Sequence, residues 1–361
     1  MSNILYNFSE KVSKLEASGR KIIKMNLGEQ NQPTPKIVVK AAIQSLKAGE
    51  TSYGPGLGEK YLREKIAEVH QTSPENVAVT TGSKISIYSL MKIVLGIGDN
   101  VIVPSPHWPA YRLIAENIGA QMRFLKTDFE NSWDVDVPKL ENMIDQKTKM
   151  IIITNPNNPT STMIRQKTLD EIVSLAERKN IHLLYDNAYM GLAFKKPESL
   201  SGQNVFCVET FSKAYAMTGW RVGYTICNKE IAEKMLRFNQ ITTSCVPKFV
   251  QRAAHAALEN KDKIQKKMAN IAKKRALAAS RILKKNNFEF VQPDAGFYVF
   301  PNLKVDGLEL AEKLLEKDMA IVPGAAFGDY NNFARISLTE EIPVLEKVLE
   351  EINSTVNSLL K

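Results

Sequence analysis

The chain has 361 residues, 44% of them hydrophobic and 24% charged. Those are the proportions of a globular protein and not of a disordered, collagen-like or membrane-spanning one. At roughly 150 residues per domain, the length predicts about two domains. Lys and Arg outnumber Asp and Glu by 48 to 39, a net charge of +9. Many of these lysines fall in Lys261–Arg275, where Ile264, Met268 and Ile271 keep helical spacing. The excess therefore reads as the solvated face of a long helix. No helix-turn-helix, zinc-finger or RNA-binding signature accompanies it, so no nucleic-acid partner is expected.

Apolar stretches such as Met150–Ile153 fall far short of the ~18 residues of a spanning helix. Residues 1–20 mix polar and charged groups without an apolar signal core, so the mature chain is expected to start near Met1. The three cysteines, Cys207, Cys227 and Cys245, form no CxxC, and the four histidines lack metal-ligand spacing. A disulfide framework and a metal site are not expected, and the cytoplasm is the expected compartment.

From Val77 onward, apolar runs alternate with amphipathic stretches. The runs Val77–Thr80, Val101–Val103, Met150–Thr154, Ile181–Tyr185, Val205–Val208 and Val222–Ile226 read as strands. Their continuous β-branched character suits a sheet buried on both faces. Helical patterns at Ser83–Leu95, Trp108–Ile118 and Leu169–Lys179 lie between them. The predicted class is α/β, a wound, mostly parallel sheet with flanking helices.

The last third changes character. The basic helix ends near Lys285. Strands are then expected around Phe288–Val291 and Gly296–Phe300, a helix at Leu308–Lys317, strands at Ala320–Val322 and Ala334–Leu338, and a helix at Ile342–Leu360. This predicts a large α/β domain over 41–275 and a small α+β domain over 276–361. The N-terminal segment 1–40 is expected to pack on the small one.

Ligands of open α/β sheets sit beyond the carboxyl ends of the strands, so the polar residues there carry the chemistry. Thr81-Gly82-Ser83-Lys84 opens a helix with free backbone N–H groups, a phosphate site in form. The loop Tyr53-Gly54-Pro55-Gly56-Leu57-Gly58 follows no strand and does not match a dinucleotide fingerprint. Pro104-Ser105-Pro106-His107-Trp108-Pro109 holds an indole that can face a flat ring. Asn155-Pro156-Asn157-Asn158-Pro159-Thr160 is a proline-stiffened turn rich in amides. Asp186, ending a buried run, needs a cationic or hydrogen-bonding partner. Lys213 follows Thr210 and Ser212; a desolvated lysine there is a carbonyl nucleophile. A Thr-Gly turn brings Arg221 back toward the two hydroxyls as a phosphate clamp.

In this order, the Tyr53 loop, Gly82-Ser83-Lys84, Pro106-His107-Trp108, Asn155 to Thr160, Asp186 with Tyr189, Ser212-Lys213, Gly219-Trp220-Arg221 and Arg335 run over nearly the whole chain. Together they resemble the fold-type I, class I/II aminotransferases that use pyridoxal 5′-phosphate. The resemblance implies that Lys213 carries the cofactor as an imine and then serves as the general base. It implies that Asp186 pairs with the pyridine N–H, Asn158 and Tyr189 with the ring hydroxyl oxygen, and that Trp108 stacks on the ring. The backbone of Gly82, Ser83 and Lys84, with Thr210, Ser212 and Arg221, would hold the phosphate. Tyr53 would reach the phosphate of a neighbouring subunit, implying a homodimer. Arg335 would grip the substrate α-carboxylate, with Gly28 near the same group. Read alone, Arg335 on a strand is a surface ion-pair residue.

Two departures bear on specificity. Many relatives carry Tyr where His107 stands. Where some aspartate aminotransferases carry a second arginine, this chain reads Thr242-Thr243-Ser244. A subgroup uses a lysine on the helix after the phosphate loop, and Lys92 is assigned to that place; by itself Lys92 reads as a solvated lysine. Aspartate with 2-oxoglutarate is the leading substrate pair. Aromatic or neutral amino acids, a carbon–sulfur β-lyase on the same scaffold, and an aminotransferase-like regulatory binding protein are the alternatives.

Overall fold

The computed structural model describes residues 4–195, 200 and 202–361. Residues 1–3, and with them the expected start near Met1, lie outside the described residues. The strands run β1 (Ile23–Lys24), β2 (Val77–Thr80), β3 (Asn100–Ser105), β4 (Gln121–Lys126), β5 (Thr148–Thr154), β6 (His182–Asp186), β7 (Val205–Thr210), β8 (Gly223–Ile226), β9 (Tyr298–Val299), β10 (Met319–Ala320), β11 (Val322–Pro323) and β12 (Ala334–Ser337).

Seven of them form one sheet in the order β2-β8-β7-β6-β5-β3-β4. All pairings are parallel except those of β8, which runs antiparallel to β2 and β7. Along β5, Met150 and Ile152 enter a core with Leu90 and Tyr111, while Ile151 and Ile153 enter another with Leu169 and Ile172. Successive strand side chains point to opposite faces, and both faces are covered by helices. This is why β5 reads as an unbroken apolar run.

The edge strand β4 escapes the sequence reading for the converse reason. Among the described residues it pairs only with β3, and Leu125 is its single buried residue. An edge strand facing solvent needs no apolar run. The sequence reading also left Lys36–Lys47, Lys60–His70, Lys229–Thr242 and Lys248–Glu259 undelimited; all four are helices.

A second core joins the two ends of the chain. Phe8 and Val12 of helix Ile4–Ala17, with Ile22 and Met25, pack against Leu310, Leu314, Leu345 and Leu349. β1 pairs with β10 in parallel, and β11-β12-β9 form an antiparallel sheet. The N-terminal stretch in this core ends at Met25, because Val38 already packs with Leu62 and Ala254. The helix Lys261–Lys285 serves both cores: Ile264 and Met268 belong to one, Ala276, Ala279 and Leu283 to the other.

Two strand expectations are corrected. Phe288–Val291 contributes only an isolated bridge, Glu289 to Asn302. The expected Ala320–Val322 strand divides into β10 and β11, which pair in different sheets. Both changes are tertiary choices of partner that a short apolar run does not encode.

Candidate active site

The carboxyl ends of β3, β5, β6 and β7 open on a cavity of about 360 Å³. Its wall includes Gly28, Ser83, Lys84, Trp108, Asn158, Asp186, Tyr189, Thr210, Ser212, Lys213, Arg221 and Arg335. Residues from across more than three hundred positions of sequence are thus brought together.

Asp186 ends β6 at the bottom. Its Oδ2 accepts from the Tyr111 hydroxyl at 2.6 Å and its Oδ1 from the Ala188 N–H at 3.1 Å. Burial raises the carboxyl's pKa, and the Tyr111 hydrogen bond opposes that rise. Lys213 donates to the Gly28 carbonyl, and its amine lies 5.7 Å from the Tyr189 ring centroid. Burial first, then the positive charge of Arg335, brings its pKa down to about 8. Burial pushes the Tyr189 phenol well above its ordinary value; its hydroxyl lies 3.1 Å from that of Tyr298.

At the other wall, Gly82 has φ of +95°, which favours glycine. A Cβ there would lie 2.6 Å from Arg221 Nη2. The helix Ser83–Val94 starts at this point, so its unpaired N–H groups and the positive end of its dipole belong to the same corner. The Thr210 hydroxyl donates to Ser212 Oγ at 2.9 Å, and the Ser212 N–H donates to Thr210 Oγ1 at 3.1 Å. Arg221 takes a left-handed backbone, φ +53°, and its Nη1 donates to the Thr218 carbonyl at 2.8 Å.

Arg335 is buried, which rules out the surface ion-pair reading. Its Nη1 donates to Asn158 Oδ1 at 3.0 Å and its Nη2 to the Asn26 carbonyl at 2.6 Å. Neither partner is an acid, and among the described residues the buried Nε has no hydrogen-bond partner. The guanidinium lies over the Tyr298 ring at 4.4 Å and the Phe327 ring at 5.2 Å. A buried cation with neutral partners is costly unless an anion completes it.

Two expected site residues, Tyr53 and Lys92, stand apart from this cavity, and so does His107, the departure from the family pattern. Tyr53 is 85% exposed and outside its own chain's cavity wall. Lys92 is a correction: it is exposed in the last turn of Ser83–Val94 and does not line the cavity. Eight residues at 1.5 Å each carry it about 12 Å along the axis from Lys84. Lys84, in the first turn, is the lysine of this helix in the cavity wall; its Nζ lies 3.3 Å from the Tyr6 hydroxyl and 5.3 Å from the Trp108 ring centroid. His107 turns to a separate cavity of about 210 Å³, stacked on Phe124 with ring centroids 4.7 Å apart.

The wall also holds Leu5, Tyr6, Asn26, Tyr111, Thr154 and Tyr298, which the sequence reading did not single out. Tyr111 had a signal: it follows Trp108 by three residues, a spacing that puts two side chains on one helix face. Tyr298 had none, since it reads as one more apolar residue of a short strand.

The residues present fit pyridoxal phosphate. Hydroxyls, an arginine and a helix N-terminus suit a phosphate, a buried carboxylate suits a pyridinium N–H, and a buried amine of lowered pKa suits an aldehyde.

The family model for Aminotransferase class I and II matches residues 20–352. An aspartate aminotransferase of Thermococcus kodakarensis is 36% identical over 337 residues, 93% of this chain and 88% of that one. A (5-formylfuran-3-yl)methyl phosphate transaminase of Methanocaldococcus jannaschii is 33% identical over 362 residues, 95% of this chain and 94% of that one. The solved aspartate aminotransferase from Thermus thermophilus with maleate has a TM-score of 0.93 at 28% identity, covering 97% of this chain and 96% of that one. The aromatic aminotransferase from Pyrococcus horikoshii has a TM-score of 0.89 at 27% identity, covering 96% and 99%. With a catalytic lysine candidate, a buried aspartate and a phosphate corner in one cavity, and with these relatives, the chain belongs to the class I and II aminotransferases, fold-type I enzymes whose cofactor is pyridoxal phosphate.

Proposed function

We propose that this aminotransferase takes the amino group of L-aspartate and delivers it to 2-oxoglutarate, as a cytoplasmic homodimer. The observation that carries the dicarboxylate reading is a pair of cations in one cavity wall. Among the described residues Arg335 has Asn158 and a carbonyl as hydrogen-bond acceptors and two aromatic faces, and Lys84 has a hydroxyl and two aromatic faces; neither has an acid. Two carboxylates on one small substrate complete both. The Thermus relative with maleate, a four-carbon dicarboxylate, supports the same reading. The large and small modules would be 41–275 and 276–361, with the N-terminal stretch as far as Met25 on the small one.

The chemistry that pyridoxal phosphate supplies when bound is an aldehyde for amines and a ring that takes up the electron pair left at Cα. The protein's residues do the rest. Asp186 holds a proton at the ring nitrogen. The backbone of Gly82, Ser83 and Lys84, with Thr210, Ser212 and Arg221, would hold the phosphate, joined by Tyr53 of a second copy. Trp108 would cover the ring, and Asn158 and Tyr189 would hold its hydroxyl oxygen. Arg335 takes the α-carboxylate in two-point contact beside Gly28. Lys213, with a pKa near 8, takes and returns the proton at the substrate Cα.

Leu5, Tyr6 and Trp108 also make the wall partly apolar, which is the feature that favours an aromatic or other neutral substrate as the second reading. The test is a panel of half-reactions, following conversion of the cofactor's absorbance with each amino acid. Aspartate and glutamate should convert fastest. Faster conversion by phenylalanine or tyrosine would overturn the dicarboxylate reading. Release of ammonia and pyruvate from cystathionine without an oxo acid would replace it with the β-lyase.

A further inference from the structure

Tyr298 belongs to none of the motifs, yet it touches two of the groups on which the proposed reaction depends. It is buried at 1% exposure on β9. β9 pairs with β12, the strand that carries Arg335, with Tyr298 opposite Ser337. Its ring lies 4.4 Å below the Arg335 guanidinium. Its hydroxyl lies 3.1 Å from that of Tyr189, which comes from the turn after β6. A Cβ on Gly28 would stand 2.5 Å from the Tyr298 hydroxyl and 3.4 Å from Lys213 Nζ. Hydroxyl and amine therefore crowd the same small space.

We propose that Tyr298 is a dual positioning residue: its ring orients Arg335 for the substrate carboxylate, and its hydroxyl sets the direction of the Tyr189 proton. The argument for the ring is geometric. A planar guanidinium over an aromatic face is restrained in tilt while its edge stays free. The unpartnered Nε lies on that edge group. The argument for the hydroxyl is one of counting. Two phenols that share one hydrogen bond have two protons between them, so one proton stays free. Tyr189 can give its proton to an oxygen in the cavity only when Tyr298 is the donor within the pair. A phenol that accepts a hydrogen bond is itself a stronger donor. Tyr298 thus ties carboxylate capture and the hydroxyl facing the cofactor to one side chain, contributed by a strand remote from the cofactor's own loops.

The inference rests on the proposed roles of Arg335 and Tyr189, and its test separates the two. Holoenzymes of the wild type, Tyr298→Phe, Tyr298→Leu, Tyr189→Phe and the double phenylalanine variant are compared. The first readout is the pH midpoint of the bound cofactor's visible absorbance, which requires no substrate and so survives failure of the aspartate reading. The second is kcat and KM for L-aspartate, or for the fastest amino acid of the panel. Tyr298→Phe should move the midpoint upward by about 0.3–1 pH unit and lower kcat about tenfold, with KM within about twofold. Tyr298→Leu should in addition raise KM about tenfold or more. The double variant should move the midpoint no further than Tyr189→Phe alone, because one hydrogen bond cannot be lost twice. An unmoved midpoint in Tyr298→Phe overturns the hydroxyl role. A KM in Tyr298→Leu equal to that in Tyr298→Phe overturns the ring role. Additive shifts in the double variant overturn the coupling even if the leucine variant fails to fold.

Discussion

Tyr111 donates its phenolic proton to Asp186 Oδ2 across 2.6 Å, and its own oxygen lies 2.7 Å from the Thr154 hydroxyl. An ionised carboxylate only accepts, so the phenol's proton is committed to it. The Thr154 hydroxyl must then donate to Tyr111. The result is a short relay whose dipoles all point at the carboxylate. The same tyrosine meets Trp108 edge-on, with ring centroids 5.4 Å apart at 88°. One residue therefore supports both Asp186, the group proposed to pair with the ring nitrogen, and Trp108, the group proposed to cover the ring.

Tyr111→Phe should weaken catalysis without removing the cofactor. A hydrogen bond to a charged group contributes about 1.5–3 kcal/mol, so amino transfer should fall roughly ten- to a hundredfold. The loss should appear in the rate of the first half-reaction measured by stopped flow. Because the Tyr111 bond opposes the burial that raises Asp186, the variant should also raise the carboxylate's pKa further. Wild-type half-reaction rates in this variant would remove the relay from the mechanism.

Lys213 gives a pH prediction in the cofactor-free enzyme. Its pKa is lowered from 10.5 to about 8, chiefly by burial. Only the neutral amine attacks an aldehyde. The rate of cofactor capture should therefore rise about tenfold per pH unit below 8 and level off above it. Linkage runs the same way: between about 8 and 10.5 the unfolded chain binds the extra proton, so this group favours the fold increasingly as pH rises through that window. Following the appearance of cofactor absorbance from pH 6 to 10 checks the rate, and Lys213→Ala should show no such signal.

Specificity should follow Lys84 and not Lys92. Lys84→Ala should raise the KM for aspartate about tenfold or more relative to that for a neutral amino acid, because a charge-assisted contact is lost. Lys92→Ala should leave both within about twofold, as surface substitutions do. Steady-state kinetics with aspartate and alanine decide it. A larger effect at Lys92 would restore the sequence assignment.

His107 should mark acid stability instead of catalysis. Its imidazole is buried, and burial brings its pKa down to about 4 from 6.5. Between those values the unfolded chain takes up a proton that the folded chain refuses. Stability present above about 6.5 is lost as pH falls toward 4, on the order of 3 kcal/mol in all. His107→Tyr should flatten the acid limb of the urea-unfolding free energy over that interval. Parallel limbs for the two proteins would show that other groups carry it.

Much of this protein was legible in the chain alone. β2, β3, β5, β6, β7 and β8 each announced themselves as short apolar runs; in β2 and the core of β5 the reason is that a strand buried on both faces needs apolar side chains at successive positions. Lys213 and Asp186 were singled out because their chemistry is local: a charged or nucleophilic residue at the end of a buried strand has few other reasons to be there. Arg335 was singled out only by the family resemblance, since alone it reads as a surface ion-pair residue. β4, Tyr111 and Tyr298 show where that logic stops. An edge strand owes its existence to the neighbour it pairs with, and a tyrosine among apolar residues reads as core until its hydroxyl is seen to have a partner. Lys84 and Lys92 make the same point in one helix. Composition treats the two lysines alike. Only the path of the helix away from the cavity decides which of them can meet a substrate, because side-chain reach is a few ångströms and the fold sets the distance.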